Sequence, residues 1–127
     1  MNCRHRKLQV SAIGGYARLV LEFRETHLFT RQITSLLGDD EYAQLQGVLV
    51  VTPEAGDLIP GTAGLRKLRW SERRRGKGKR SGIRVVYYVV VSDAVVYMLL
   101  AYSKGERDDF TTEQKRAMMR LVSEEFR

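Results

Sequence analysis

Two β-prone segments, separated by a short polar break, constrain the fold of this chain more than any other feature. Residues 83–91 and 95–102 are each of strand length and are rich in valine, leucine and tyrosine, a composition typical of strands. The break between them contains Ser92 and Asp93, residue types that favour turns. We therefore predict two adjacent antiparallel strands, around which the rest of the chain is arranged.

The sequence before these segments predicts one strand and two helices. Residues 18–23 alternate loosely between apolar and polar side chains, which indicates a first strand. Thr26 is a candidate N-cap for a helix that Gly38 ends, and Asp39 is a candidate N-cap for a second helix that Pro53 ends. Because the connection between the two helices is short, we expect them to form an antiparallel pair.

The remaining segments complete an α+β pattern. Residues 53–64 contain three glycines and two prolines, which predicts a loop, and residues 65–71 predict a strand. Thr111 and Gln114 have the spacing of a capping box at the start of a last helix. The predicted order is β-α-α-β-β-β-α, an α+β fold in which a helix pair and a C-terminal helix pack on a small, antiparallel-rich sheet.

Length and composition predict a single domain in a reducing compartment. The 127 residues are enough for one domain, which we assign to residues 18–127, with residues 1–17 as a flexible extension. Cys3 is the only cysteine, so no internal disulfide can form, which suits the cytoplasm. No segment reaches the roughly 20 apolar residues of a membrane span. We expect a cytoplasmic protein that does not associate with membranes.

Positive charge is concentrated in one stretch. Residues 66–84 contain ten Lys or Arg and a single acid, Glu72, which gives +9 against +7 for the whole chain. A localised basic patch beside a sheet is typical of a polyanion site, with nucleic acid as the first candidate. Six of these cations lie in the glycine-spaced segment between two predicted strands: Arg73, Arg74, Arg75, Lys77, Lys79 and Arg80.

Strand alternation predicts which side chains share a face of the sheet. Lys67 and Arg69 have the same parity on their strand, Arg84 lies on the next strand, and Tyr102 and Lys104 share a parity at the end of the last. One face would therefore collect all five beside the basic segment. Strand cations are usually solvated and strand tyrosines usually pack in the core, so it is the clustering that favours a functional site.

The available chemistry is that of cations and tyrosine hydroxyls. The sequence has no phosphate loop ending in Lys-Ser/Thr, and His5 and His27 lie far from other metal-ligand candidates. RNA can still be cleaved without metal or cofactor, because its own 2′-hydroxyl is a nucleophile. Arg and Lys can stabilise the charge of the transition state, and a Lys whose pKa is lowered by neighbouring cations can accept the 2′-proton.

The chain resembles the RelE superfamily of bacterial type II toxins, and most closely its HigB-like branch. The resemblance rests on the element order and on residues 56–69 (GDLIPGTAGLRKLR), 76–88 (GKGKRSGIRVVYY) and 99–109. It implies a ribosome-dependent mRNA endonuclease, or mRNA interferase, that inhibits translation without a metal or cofactor. It also implies the ribosome and mRNA as partners, together with a cognate antitoxin that we expect to be of the helix-turn-helix type.

The resemblance also implies roles for individual residues. Lys67 and Arg69 would hold RNA, Arg84 would contact the scissile phosphate, and Tyr102 and Lys104 would close the catalytic site. The further RNA-binding residues would be Arg66, Arg73, Arg74, Arg75, Lys77, Lys79, Arg80 and Arg107. Some founding members have an arginine just after the last strand and a tyrosine near the C-terminus. Those positions are Gly105 and about Thr111 here, so the general acid and base stay open. Arg107 is a candidate replacement for the arginine, and Tyr102 and Lys104 are the candidates for the missing acid or base.

Two other functions are compatible with the same sequence. One is a toxin of the same fold that inhibits gyrase and cuts no RNA, since fold alone does not determine function. The other is a non-catalytic nucleic-acid-binding module, whose affinity for phosphates would fall steeply with salt. Only the mRNA interferase would cleave an mRNA that is being translated, so a cleavage assay distinguishes it from both alternatives.

Overall fold

Six strands and three helices make up the described part of the chain. The computed structural model describes residues 3–11, 18–71, 82–105 and 110–125. Its strands are β1 (Cys3–Ser11), β2 (Arg18–Thr26), β3 (Asp57–Leu58), β4 (Arg66–Trp70), β5 (Ile83–Val90) and β6 (Val95–Ser103). Its helices are α1 (His27–Leu36), α2 (Asp39–Val51) and α3 (Thr112–Glu125). The α+β class and the three helices are as predicted.

All six strands form one mixed sheet with the order β1-β2-β6-β5-β4-β3. β2 and β6 are parallel, and the other neighbouring strands are antiparallel. The predicted pairing of the two β-prone segments is confirmed as β5 and β6, which a 3₁₀ turn at Val91–Asp93 connects. Ala94 completes that turn in the left-handed conformation, with φ of 54°.

Two strands were missing from the predicted order, and both lie in segments predicted to be irregular. Residues 1–17 were expected to be a flexible extension, but Cys3–Ser11 pairs antiparallel with β2 along its whole length. This pairing gives hydrogen-bond partners to the edge of β2 that faces away from β6. Residues 12–17 lie outside the described part. The second addition is β3, in the predicted loop 53–64, where Asp57 and Leu58 pair with β4.

The sheet carries a hydrophobic core on each of its faces. α1 and α2 cover one face, where Phe29 and Leu45 pack in the same cluster as Val85 of β5. α3 covers the other face, where Met118 packs in the same cluster as Val86. Val85 and Val86 are neighbours in β5, and alternation of side chains along the strand sends them to opposite cores.

Side-chain caps were predicted for all three helix starts, and two of them are confirmed. Thr26 Oγ1 accepts a hydrogen bond from the Phe29 N–H at 3.0 Å. The Gln114 N–H donates to Thr111 Oγ1 at 3.1 Å, and the Thr111 N–H donates to Gln114 Oε1 at 2.9 Å, which completes the predicted capping box. The N-cap of α2 is Gly38 and not the predicted Asp39, which is instead the first helical residue.

No helix within residues 18–71, 82–105 and 110–125 is long and apolar enough to cross a membrane.

Candidate nucleic-acid site

Three of the predicted site residues lie side by side on β4, β5 and β6. Arg69 is directly opposite Arg84 in the β4–β5 pair, and Arg84 is directly opposite Tyr102 in the β5–β6 pair. Opposed residues of antiparallel strands project from the same face of the sheet. This face is the one that α3 covers, because Tyr102 belongs to the same core cluster as Met118. We call Arg69, Arg84 and Tyr102 the cross-strand row.

The other two predicted catalytic residues lie close to the cross-strand row. Lys67 is two residues before Arg69 and is opposite Val86, so it shares the face of the row. Lys104 is two residues after Tyr102, and its backbone N–H donates to the Gly82 carbonyl at 2.8 Å, which continues the pairing of the strands past the end of β6. The structure thus brings all five predicted catalytic residues to one region of the sheet.

The cations of this region are accessible, whereas the tyrosine is covered. Arg69 and Lys104 are exposed, and Lys67 and Arg84 are half-buried. Tyr102 is only 4% exposed, and its ring packs edge-on against Phe110 with 5.7 Å between ring centroids. A polyanion approaching this face would therefore meet guanidinium and ammonium groups before the phenol.

The row places two like charges opposite each other. A pair of like charges at directly opposed positions of a sheet is destabilising. Among the described residues, no carboxylate lies within ion-pair distance of Lys67, Arg69, Arg84 or Lys104. The Arg84 guanidinium makes one long hydrogen bond, 3.5 Å from Nη1 to the Ile83 carbonyl. A bound anion would relieve the repulsion between Arg69 and Arg84.

Asp57 is an acidic residue that the strand pairing places directly beside the predicted site. It is opposite Lys67 in the β3–β4 pair, so the two side chains project from the same face. Asp57 was not among the predicted site residues, because residues 53–64 were predicted to be a loop. The signal that marked this position was its place in the motif of residues 56–69, directly after Gly56.

A network of hydrogen bonds holds the segment before β3 against the sheet. The Tyr87 hydroxyl donates to the Pro53 carbonyl at 2.7 Å and accepts from the Gly56 N–H at 2.9 Å. Burial raises the pKa of the Tyr87 phenol above its usual value. No larger residue fits at position 56 without a clash, since a Cβ on Gly56 would lie 2.8 Å from Tyr87 Cε1 and 2.9 Å from the Lys67 carbonyl carbon.

Arg66 was predicted to bind RNA, but it belongs to this network and not to the cross-strand row. It is one residue from Lys67, so it projects from the opposite face of β4. Its Nη1 donates to the Gly56 carbonyl at 2.8 Å, and its Nη2 forms an ion pair with Glu54 at 3.3 Å. The structure therefore gives Arg66 internal partners on the far side of the sheet.

The rest of the predicted RNA-binding residues lie outside the described ranges: Arg73, Arg74, Arg75, Lys77, Lys79, Arg80 and Arg107. The described residues on either side of residues 72–81 show where this basic segment leaves and rejoins the sheet. Trp70 is opposite Ile83 at the end of the β4–β5 pair, one position beyond Arg69 and Arg84. Six of these cations are thus connected in sequence to the end of the sheet that carries the row.

Within the described ranges, no group of three or more His, Cys, Asp or Glu side chains is placed to hold a metal ion. No protein family model matches the chain.

Proposed function

We propose that this protein is the toxin of a type II toxin–antitoxin system and cleaves mRNA on the ribosome, which inhibits translation. The observation that carries the proposal is the cross-strand row, in which Arg69 and Arg84 are opposed without a described counter-ion. Two guanidinium groups without a counter-ion among the described residues form a preorganised site for a phosphate, since arginine binds phosphate through paired N–H donors. Their partial exposure leaves that site open to a substrate.

The proposed reaction uses the RNA as its own nucleophile. The 2′-oxygen attacks the adjacent phosphorus, the bond from phosphorus to the 5′-oxygen breaks, and the products are a 2′,3′-cyclic phosphate and a 5′-hydroxyl. Arg69 and Arg84 stabilise the charge that develops on the non-bridging oxygens. Lys67, opposite Asp57, would bind the neighbouring phosphate.

We assign the role of general acid or base to Lys104 and not to Tyr102. Tyr102 is 4% exposed, so its hydroxyl has little access to a substrate. Lys104 is exposed and lies two residues beyond the row, so its amine is open to a substrate bound at the row. The lysine would accept the 2′-proton or return a proton to the leaving 5′-oxygen.

The proposed partners are the translating ribosome with its mRNA and a cognate antitoxin of the helix-turn-helix type. The antitoxin would neutralise the toxin by covering the cations of the row with acidic side chains or by blocking entry to the ribosome.

Primer extension on an mRNA during translation tests the proposal. The wild-type protein should cut the translated message, and Arg84→Ala should abolish the cuts while the protein remains folded by circular dichroism. Arg31→Ala is the matched control, because Arg31 is an exposed arginine on α1, away from the row. Cutting by Arg84→Ala at the wild-type rate would overturn the assignment.

A second candidate, a nucleic-acid-binding module without catalysis, is favoured by the packing of Tyr102 against Phe110. Such a module would bind the same RNA and leave it intact. Intact mRNA together with a growth defect in expressing cells would instead favour the gyrase-inhibiting toxin.

A further inference from the structure

A groove of about 500 Å³ lies between α2 and the end of β4, on the α1–α2 side of the sheet, and Arg69 of the cross-strand row is among its lining residues. Its volume falls in the range of small-molecule sites in proteins. Six described side chains line it: Glu41, Gln44, Val48, Arg69, Trp70 and Ser71. The lining thus combines one aromatic ring, one apolar wall, a cation and several hydrogen-bonding groups.

The aromatic ring in this groove is held in a fixed orientation. The Trp70 indole N–H donates to Glu41 Oε2 at 3.1 Å, and Glu41 itself is only 8% exposed. Trp70 packs partly against the core on the α1–α2 side, and the rest of the half-buried side chain lines the groove. A ring fixed in this way loses little conformational freedom when a planar ligand stacks on it.

The groove also offers groups that can recognise the edge of a base. Gln44 is exposed and carries both an amide donor and a carbonyl acceptor. Glu41 uses Oε2 for Trp70, and no donor among the described residues is bonded to its other oxygen, Oε1. Unpaired RNA bases are typically bound in this manner, stacked on an aromatic side chain and hydrogen-bonded along one edge.

Arg69 belongs to the cross-strand row and also lines the groove, so it connects the two. Trp70 follows Arg69 and projects from the other face of β4, and β3 pairs only with the first two residues of β4, so an RNA strand held at Arg69 would reach the groove around the edge of β4. We propose that the groove is a subsite for an unpaired nucleobase of the RNA, stacked on Trp70 and contacted by Glu41 and Gln44. The inference rests on the proposed RNA-binding role of the row, which it deepens.

The fluorescence of Trp70 provides a specific test, because it is the only tryptophan in the chain. The full-length protein is titrated with single-stranded RNA oligonucleotides and, separately, with inorganic polyphosphate, a polyanion that has no bases. RNA should quench the fluorescence saturably, since a stacked base contacts the indole, whereas polyphosphate should bind without quenching. Equal changes with both polyanions, or none with RNA, would overturn the inference.

A substitution in the exposed part of the groove tests it without disturbing the core. Gln44→Ala should weaken RNA binding about threefold to tenfold and leave polyphosphate affinity unchanged. Ala43→Ser is the control, because Ala43 is exposed on the same helix and does not line the groove. Wild-type RNA affinity in Gln44→Ala, together with absent quenching, would reject the subsite.

The cleavage assay run in parallel separates this inference from the proposed function. Saturable quenching by RNA without any cleavage would support the base subsite and overturn the nuclease. Cleavage of translated mRNA without quenching would support the nuclease and overturn the base subsite.

Discussion

Replacing Arg84 with glutamine should make the protein more stable, and it should remove the proposed mRNA cleavage. Arg84 is directly opposite Arg69, and no described carboxylate forms an ion pair with either residue. Glutamine keeps much of the length of arginine and its ability to donate a hydrogen bond, but it carries no charge. The substitution therefore removes the repulsion between two opposed cations and leaves the packing on β5 largely unchanged.

The size of the effect follows from the geometry of the pair. Directly opposed side chains have Cβ atoms about 4.5–5.5 Å apart, and charged pairs at such positions contribute roughly 0.2–1 kcal/mol. This separation is shorter than the screening length of about 10 Å at 0.1 M salt, so the repulsion persists in ordinary buffers. A gain of about 0.5 kcal/mol would raise the Tm of a domain of this size by about 2 °C.

Urea unfolding at low and at high salt measures this gain. The free energy of unfolding of Arg84→Gln should exceed that of the wild type, and the difference should shrink as salt screens the repulsion. Arg31→Gln, at an exposed position of α1, should show no comparable gain. If Arg84→Gln instead loses more than about 1 kcal/mol at both salt concentrations, Arg84 has a structural role and the argument from unbalanced charge is wrong.

Three further predictions concern the network that holds the segment before β3. Tyr87→Phe leaves the Gly56 N–H and the Pro53 carbonyl without the phenol and should cost about 1–3 kcal/mol in urea unfolding; an unchanged midpoint would show that solvent replaces both bonds. Because burial raises the pKa of Tyr87 above its usual value of 10.0, its contribution is complete below about pH 10 and is lost as the pH rises through the folded-state pKa. The wild type should therefore lose stability at alkaline pH more steeply than Tyr87→Phe, and parallel curves would contradict this. Gly56→Ala forces a Cβ to within 2.9 Å of the Lys67 backbone and should destabilise the protein more than Gly47→Ala, whose Cβ would meet no atom within 4 Å; thermal unfolding of the two variants decides the order.

Local patterns were sufficient to predict the elements that local forces stabilise. Thr26 and the Thr111–Gln114 pair correctly predicted two helix starts, because their capping hydrogen bonds span only three residues and can be recognised from local sequence. Alternation along each strand also grouped Lys67 with Arg69, and Tyr102 with Lys104. The structure added the register between strands, which aligns Arg69, Arg84 and Tyr102 in one row.

What the sequence did not reveal depends on contacts between distant segments. β1 was missed because residues 3–11 hold only two aliphatic side chains, Leu8 and Val10, and the strand is recognised from its pairing with the edge of β2. Arg66 looked like one more cation of the basic stretch, but its partners Glu54 and Gly56 lie at least ten residues away. The bond between Trp70 and Glu41 likewise joins β4 to α2 across the chain.

The central claim is that this protein cuts mRNA only while a ribosome translates it, and one comparison tests it most directly. The same message is incubated with the purified wild-type protein in a translation reaction and in a matched reaction without ribosomes, and the cut ends are mapped. We expect cuts at ribosomal A-site codons, with 2′,3′-cyclic phosphate ends, in the first reaction and intact message in the second. Intact message in both reactions, or the same cuts in both, would contradict it.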